Sequence, residues 1–353
     1  MAVAGLTRLR KHQFGRQSAI DTPVAAVKAY PFSGVPSVDP TWTDPDIDVG
    51  SLDPVVSPYR GPGDYTASLT DPALWYNCLP LMLSAMLGDG VTGSGTPDVN
   101  WVYAPASATV DAVDTFTYEF GDDVTSDWYQ LGGGLLESLE FTAPDGLSAV
   151  QASMSWRFGS AFGSGFTDFP DAPVVPTAAL NLEQNAAVVY LKDASIAIAS
   201  DPDDFATSTI SDALYSFVLR FSTDVDQKRW ANGTQSFAVQ DYSRATRSIE
   251  LECTFAKTSD IVGTGSESDA WFSESAVNRF VQVSFESLVE ADTATPYSWV
   301  FSMPMRYYTR TEGEIGGNST VVLTGHAFYD PNGSATDFDG VFKSTVVNTQ
   351  ASI

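Results

Sequence analysis

Strict alternation of apolar and polar residues constrains the fold of this chain more than any other feature. Phe116, Tyr118 and Phe120 alternate with Thr115, Thr117 and Glu119. Val150, Ala152, Met154, Trp156 and Phe158 alternate with Gln151, Ser153, Ser155 and Arg157. Successive side chains of a strand point to opposite faces, so each run predicts a half-buried strand with one face in a core. Tyr215, Phe217, Leu219 and Phe221 repeat the pattern against Ser216, Val218 and Arg220, as do Ile249, Leu251, Cys253 and Phe255 against Glu250, Glu252 and Thr254. Further strands are expected at Val281–Phe285, Tyr297–Met303, Thr320–Phe328 and Val341–Val347. Of the 44 acidic residues 32 are Asp, a residue that favours turns over helix interiors. The expected class is mainly β.

The runs also recur in order. Phe116 aligns with Phe217, Phe120 with Phe221, Trp128 with Trp230, Gly132 with Gly233, Val150 with Ile249 and Trp156 with Phe255, each pair about 100 residues apart. Chance resemblance between strands is the competing reading; an ordered series at near-constant spacing favours one β module used twice. The expectation is therefore two tandem β-sandwich or barrel modules with short flanking helices. One short helix is read from Asp71 in DPALWYNCLPLMLSAMLGDG, with an apolar stripe at Leu79, Leu81, Met82, Leu83, Met86 and Leu87 and a stop at Gly88, and one at Ser266–Phe280. Residues 1–70 read as an N-terminal arm and an irregular Pro/Gly-rich segment, 71–170 as the first module and 171–353 as the second, joined near Gly159–Pro176.

Charge bounds the partners. Lys and Arg number 18 against 44 Asp and Glu, a net charge of −26, which repels a phosphate backbone and excludes a specific nucleic-acid reader. Five of the basic residues, Arg8, Arg10, Lys11, Arg16 and Lys28, lie in the first 28 positions, whereas no Lys or Arg occurs between Gly61 and Trp156. This arm either reaches a neighbouring copy of the chain, so that its deletion impairs assembly and spares the β fold, or is simply solvated. An acidic surface also suits a host with high internal salt or a GC-rich genome. No apolar run approaches the roughly 20 residues of a membrane helix. The basic start lacks the apolar stretch of a secretory signal, so folding in a host cytoplasm is expected. The sequons at Asn232, Asn318 and Asn332 then read as turns.

Chemistry is sparse. The two cysteines, Cys78 and Cys253, form no CxxC pair and read as small core residues. His12 and His326 are the only histidines. They lack the partners of a nucleophilic triad, and zinc needs clustered ligands. Gly88-Asp-Gly90-Val-Thr-Gly93 matches a dinucleotide fingerprint by letter, yet it follows a helix instead of a strand. Asp44, Asp46 and Asp48 begin like a calcium loop, but Val49 and Val55 stand where Gly and Glu are required. Asp-rich loops such as Asp201-Pro-Asp203-Asp204 leave nonspecific cation binding open. No catalytic, cofactor or metal residue is nominated, and no enzyme is expected. Thr115, Thr117, Glu119, Gln151, Ser153 and Ser155 are nominated as a polar strand face turned to a lumen or an interface.

In arrangement the chain resembles the bacteriophage tail tube (major tail) proteins, in the long form that carries two tube modules. The resemblance spans about Leu79 to Asn348 and rests on the LPLMLSAMLG helix after a Pro/Gly-rich entry, then TFTYEF…GGGLLESLEFTAPDGLSAVQASMSWRFG. It continues through YSFVLRF…NGTQSFAVQDYSRATRSIELECTFA, the helix near Trp271, VFSMPMRYY, and VVLTGHAFYDPNGSATDFDGVFKSTVVN. It implies two tail-tube-like modules and self-association into rings, a trimer with pseudo-sixfold symmetry or a hexamer. Stacked rings would form a tube in the virion tail, assembled in the host cytoplasm. Its partners would be a tape-measure protein, tail terminator and tail-tip proteins, and double-stranded DNA in transit, with no membrane and no cofactor. The alternative is a secreted or capsid-decorating β-sandwich that binds carbohydrate or a coat protein.

Overall fold

Alternation becomes strand wherever it was read. The computed structural model describes residues 10–20, 22, 24, 26, 28–39, 42–43, 59–60, 63–88, 93–95, 98–104, 114–122, 127–145, 148–161, 189–199, 205–206, 209–210, 213–228, 241–258, 261, 279–292, 295–329, 340–350 and 353. Its first strands are β1 (Arg10–Arg16), β2 (Lys28–Tyr30), β3 (Ser33–Asp39), β4 (Trp42–Thr43), β5 (Tyr59–Arg60) and β6 (Asp64–Asp71). After helix α1 (Leu79–Leu87) come β7 (Val99–Tyr103), β8 (Phe116–Asp122), β9 (Asp127–Ala143), β10 (Gln151–Phe158) and β11 (Ser160–Ala161). The remainder are β12 (Ser195–Ala199), β13 (Thr209–Ile210), β14 (Leu214–Lys228), β15 (Asp241–Ala256), β16 (Arg279–Asp292), β17 (Thr295–Ile315), β18 (Asn318–Ala327) and β19 (Lys343–Asn348). The protein is mainly β.

Among the described residues seventeen strands share one antiparallel hydrogen-bond network, and β4 pairs only with β5. Its front layer is an open sheet in the order β3–β6–β10–β9–β14–β15–β18–β17. Behind it lie two smaller sheets, β2–β1–β8–β9–β11 and β13–β12–β16–β17–β19–β7. Strands β9 and β17 are long enough to serve both layers. Their N-terminal residues pair in a rear sheet and their C-terminal residues in the front one. Gly316 and Gly317, at φ 58° and 85°, supply the two left-handed residues of the tight turn from β17 to β18.

Aromatic rings from the two layers meet in the core. Phe14 of β1 lies 4.9 Å from Trp156 of β10, and Tyr118 of β8 lies 5.4 Å from Phe158. In the other half Phe141 of β9 lies 5.0 Å from Trp299 of β17, and Phe217 of β14 lies 5.8 Å from Phe285 of β16. One hydrophobic cluster runs through both halves. Helix α1 differs from the expected amphipathic stripe, because all nine of its residues are buried. Its one hydroxyl, Ser84, donates to the Tyr103 phenol, which donates to the Pro80 carbonyl. The N–H of Gly88, left-handed at φ 72°, closes the last turn on the Ser84 carbonyl at 2.9 Å.

The two halves of the front sheet follow one path, in a register other than the one expected. Strand β9 carries one extra residue, Glu137, opposite the Ser155–Trp156 step of β10. Strand β17 carries one extra residue, Tyr308, opposite the Thr324–Gly325 step of β18. Outward from the first bulge Trp156 faces Ala67, which faces Pro36; outward from the second Gly325 faces Leu251, which faces Leu219. Strands β3, β6, β10 and β9 thus correspond to β14, β15, β18 and β17. The expected match of Phe116 with Phe217 fails, since Phe116 lies in a rear sheet and Phe217 in the front one. Any two half-buried strands share a period of two, so alternation does not say which sheet a strand joins.

Residues 1–70 also depart from expectation. Strands β1 and β2 belong to a rear sheet, while β3 and β6 open the front one. Of the expected helix Ser266–Phe280, Arg279 and Phe280 begin β16. Its remainder lies outside the described residues. So do most of the Gly159–Pro176 junction, Asp44–Asp48, Gly90, Asp201–Asp204, Trp230, Gly233, Asn232 and Asn332.

Candidate functional surface: the open face and free edges of the front sheet

Among the described residues one face of the front sheet is sealed by the rear layer and the other is bare. In the first half the bare face carries short hydroxyls, Thr66, Ser68 and Thr70 of β6, Ser153 and Ser155 of β10, and Ser138 and Thr142 of β9, together with Gln151 and Arg157, which pairs with Glu137 at 2.9 Å. The inward residues of the same strands, among them Leu69, Met154, Trp156 and Phe141, are buried. Of the nominated polar face, Gln151, Ser153 and Ser155 lie here.

Thr115, Thr117 and Glu119 do not. They are 3%, 0% and 2% exposed because the chain following β1 crosses them. The Val24 N–H donates to Thr117 Oγ1 at 3.1 Å. Glu119 accepts from Gln130 Nε2 at 2.7 Å, and burial holds its carboxyl above the usual range against that bond and one from the Ala26 backbone. These three side chains form an internal polar seam instead of a lumen or interface face. Polarity marked them as outward-facing; a covering segment that is remote in sequence makes them inward.

The basic arm is likewise no free extension. Strand β1 runs between β2 and β8, with Arg10 opposite Asp122. Arg16 donates to Asp114 at 2.7 Å, and burial lowers Lys28 to about 8. Lys11 is half-buried in β1. Arg8 lies outside the described residues. The bases of RKHQFGR concealed a strand whose Phe14 and His12 are buried, with His12 Nδ1 2.9 Å from the Tyr118 hydroxyl.

Charge on the bare face is concentrated in the second half. Arg220 of β14 meets Glu140 of β9 at 2.9 Å, Glu250 of β15 at 2.8 Å and Glu252 at 3.3 Å. The Tyr308 hydroxyl donates to Glu250 at 2.7 Å and stacks on His326 with centroids 4.5 Å apart. That bond, aided by Arg220, holds the Glu250 carboxyl below its usual range, and it pushes the Tyr308 phenol up to about 12. Three glutamates surround the Arg220 guanidinium, and exposed Arg306 stands opposite His326 on the same face. The alternation of β14 and β15 carried these residues, but nothing local in sequence announced that Glu140 would stand opposite Arg220.

Both ends of the sheet lack a neighbouring strand among the described residues. Among the described residues β3 pairs with β6 alone. Pairing of β17 with β16 ends at Met305, so beyond it the side of β17 away from β18 has no strand partner among the described residues. Side chains 308–315 are exposed apart from half-buried Arg310. Unpaired edge backbone is a template for another strand. The sequence reading placed β3 in an irregular segment and missed this edge.

Among the described residues no three His, Cys, Asp or Glu side chains gather as metal ligands, and no helix is long and apolar enough to cross a membrane. Compared with known family models and with curated proteins, the chain matches none.

Proposed function

We propose that this chain is a structural subunit that self-assembles into closed rings, and that stacked rings form the hollow tail tube of a bacteriophage through which DNA passes. The observation that carries the reading is a front sheet sealed on one face, bare and polar on the other, and unpaired at both ends. Such a sheet is unfinished as a monomer. A head-to-tail contact repeated by rotation completes it and closes a ring.

With the bare face turned inward, the bore is lined by short hydroxyls, by Arg157 and Arg220 engaged by carboxylates, and by Arg306 beside His326. Hydroxyls and carboxylate-paired arginines grip a phosphate backbone weakly, and the net charge of −26 adds long-range repulsion. The sequence resemblance supplies the tail-tube identity, with a tape-measure protein, terminator and tip proteins as the other partners. A capsid-decorating or carbohydrate-binding sandwich is the competing function.

Electron microscopy of the purified chain tests the reading. Rings or tubes of uniform bore are expected. Dispersed monomers that bind glycans would favour the competing function.

A further inference from the structure

The correspondence between the two halves contains a template for the contact between two copies. Within one chain the halves join where β9 pairs with β14, and Glu140 stands opposite Arg220. The counterpart of β9 is β17 and that of β14 is β3, which are the two unpaired edges. Glu140 is the third residue beyond the Glu137 bulge, as Thr311 is the third beyond Tyr308. Arg220 follows Leu219, as Ser37 follows Pro36.

We infer that β3 of one copy adds to the C-terminal half of β17 of the next copy, antiparallel, with Ser37 opposite Thr311. Asp39 then faces Thr309, Val35 faces Gly313 and Ser33 faces Ile315. The inference rests on the self-assembly part of the proposed function and is independent of DNA passage.

Geometry supports it in two ways. Strand β3 is seven residues long, and so is the stretch from Thr309 to Ile315 that it would cover. Every neighbouring pair in the front sheet is antiparallel, so with an even number of strands β3 and β17 run in opposite senses and close antiparallel. Pro36 has no N–H and subtracts one donor from the ladder, as edge strands tolerate.

The two junctions differ in character. The inward pairs of the internal junction are apolar, Leu219 with Phe141 and Phe221 with Leu139. Their counterparts between copies are Pro36 with Glu312 and Val38 with Arg310. The contact between copies therefore relies on backbone bonds, which leaves a single chain soluble while a ring satisfies both edges at once.

Disulfide trapping tests the register. The native Cys78 and Cys253 are buried, so Ser37→Cys with Thr311→Cys in one chain reports only the proposed contact. Residues directly opposite across a ladder lie within disulfide reach. Oxidation is expected to give a ladder of covalent oligomers ending at the ring size, and Ser37→Cys with Ile315→Cys to give none. Rings that form without the Ser37–Thr311 link, or that link through the offset pair instead, overturn this contact and leave the tube function standing. A chain that stays monomeric by light scattering overturns both.

A charge pair gives a second readout without cysteines. Lysine at both Ser37 and Thr311 should cut ring yield at least tenfold, and Ser37→Glu with Thr311→Lys should restore it. Equal yields from both pairs would contradict the register.

Discussion

Asp71 shows how a single carboxyl couples this fold to pH. It is 2% exposed at the end of β6; its Oδ1 accepts the Ala73 N–H at 3.1 Å, and its Oδ2 has no hydrogen-bond partner. Burial raises it from 3.8 to about 6, opposed by the Ala73 bond. A carboxyl raised on folding contributes stability below its unfolded value and loses it as pH climbs through the folded one. The loss therefore falls between about pH 4 and pH 6. Asp71→Asn keeps the acceptor and removes the charge. It should stabilise the protein by about 2–3 kcal/mol at pH 8 and hardly at all below pH 4. Denaturant titrations at the two pH values check this. Arg220 is the opposite case, a partly exposed cation whose removal leaves three carboxylates facing one another. Arg220→Gln should cost about 1 kcal/mol in dilute buffer, allowing for solvent screening, and less in 1 M salt. Thermal melts across a salt series measure it.

At the scale of elements, legibility followed the environment of each strand. Strand β10 was plain because Trp156 and Phe158 face a core while Gln151 and Ser153 face outward. The helix Leu79–Leu87 was plain because Gly88 stops it. Strand β1 was hidden because a strand between two neighbours and beneath a covering segment buries Gln13 as fully as Phe14, which erases the alternation. Deletion of residues 1–28, read from sequence as sparing the fold, should instead remove β1 from between β2 and β8 and abolish cooperative folding. Circular dichroism and a denaturant titration of the truncated chain decide between the two. At the other terminus β19 ends on Asn348, which is fully buried. Its Oδ1 accepts from Trp101 Nε1 at 3.2 Å and from the Gln350 N–H, and its Nδ2 donates to the Tyr76 carbonyl at 3.1 Å. That one amide ties β19 to β7 and to the turn before α1. Asn348→Ala leaves buried polar groups short of partners and should cost about 2–4 kcal/mol, read as a lower denaturation midpoint.

Across the whole molecule individual strands were legible and the correspondence between the two halves was not. The mainly β class and several strand positions follow from alternation, a local property. Sheet membership depends on which strands meet across long intervals of chain, and a period of two is blind to that. The bulges at Glu137 and Tyr308 are what align the halves, and each is visible only against its partner strand. Each follows closely on the point where its long strand passes from the rear layer into the front one, a sheet with a free edge at either end among the described residues. A three-dimensional reconstruction of the assembled protein by electron microscopy tests the central claim most directly. Our account predicts closed rings in which Ser153, Ser155 and Arg220 line the bore and β3 of each copy lies beside β17 of the next. Rings with those residues on the outer wall, or particles in which both edges stay bare, would contradict it.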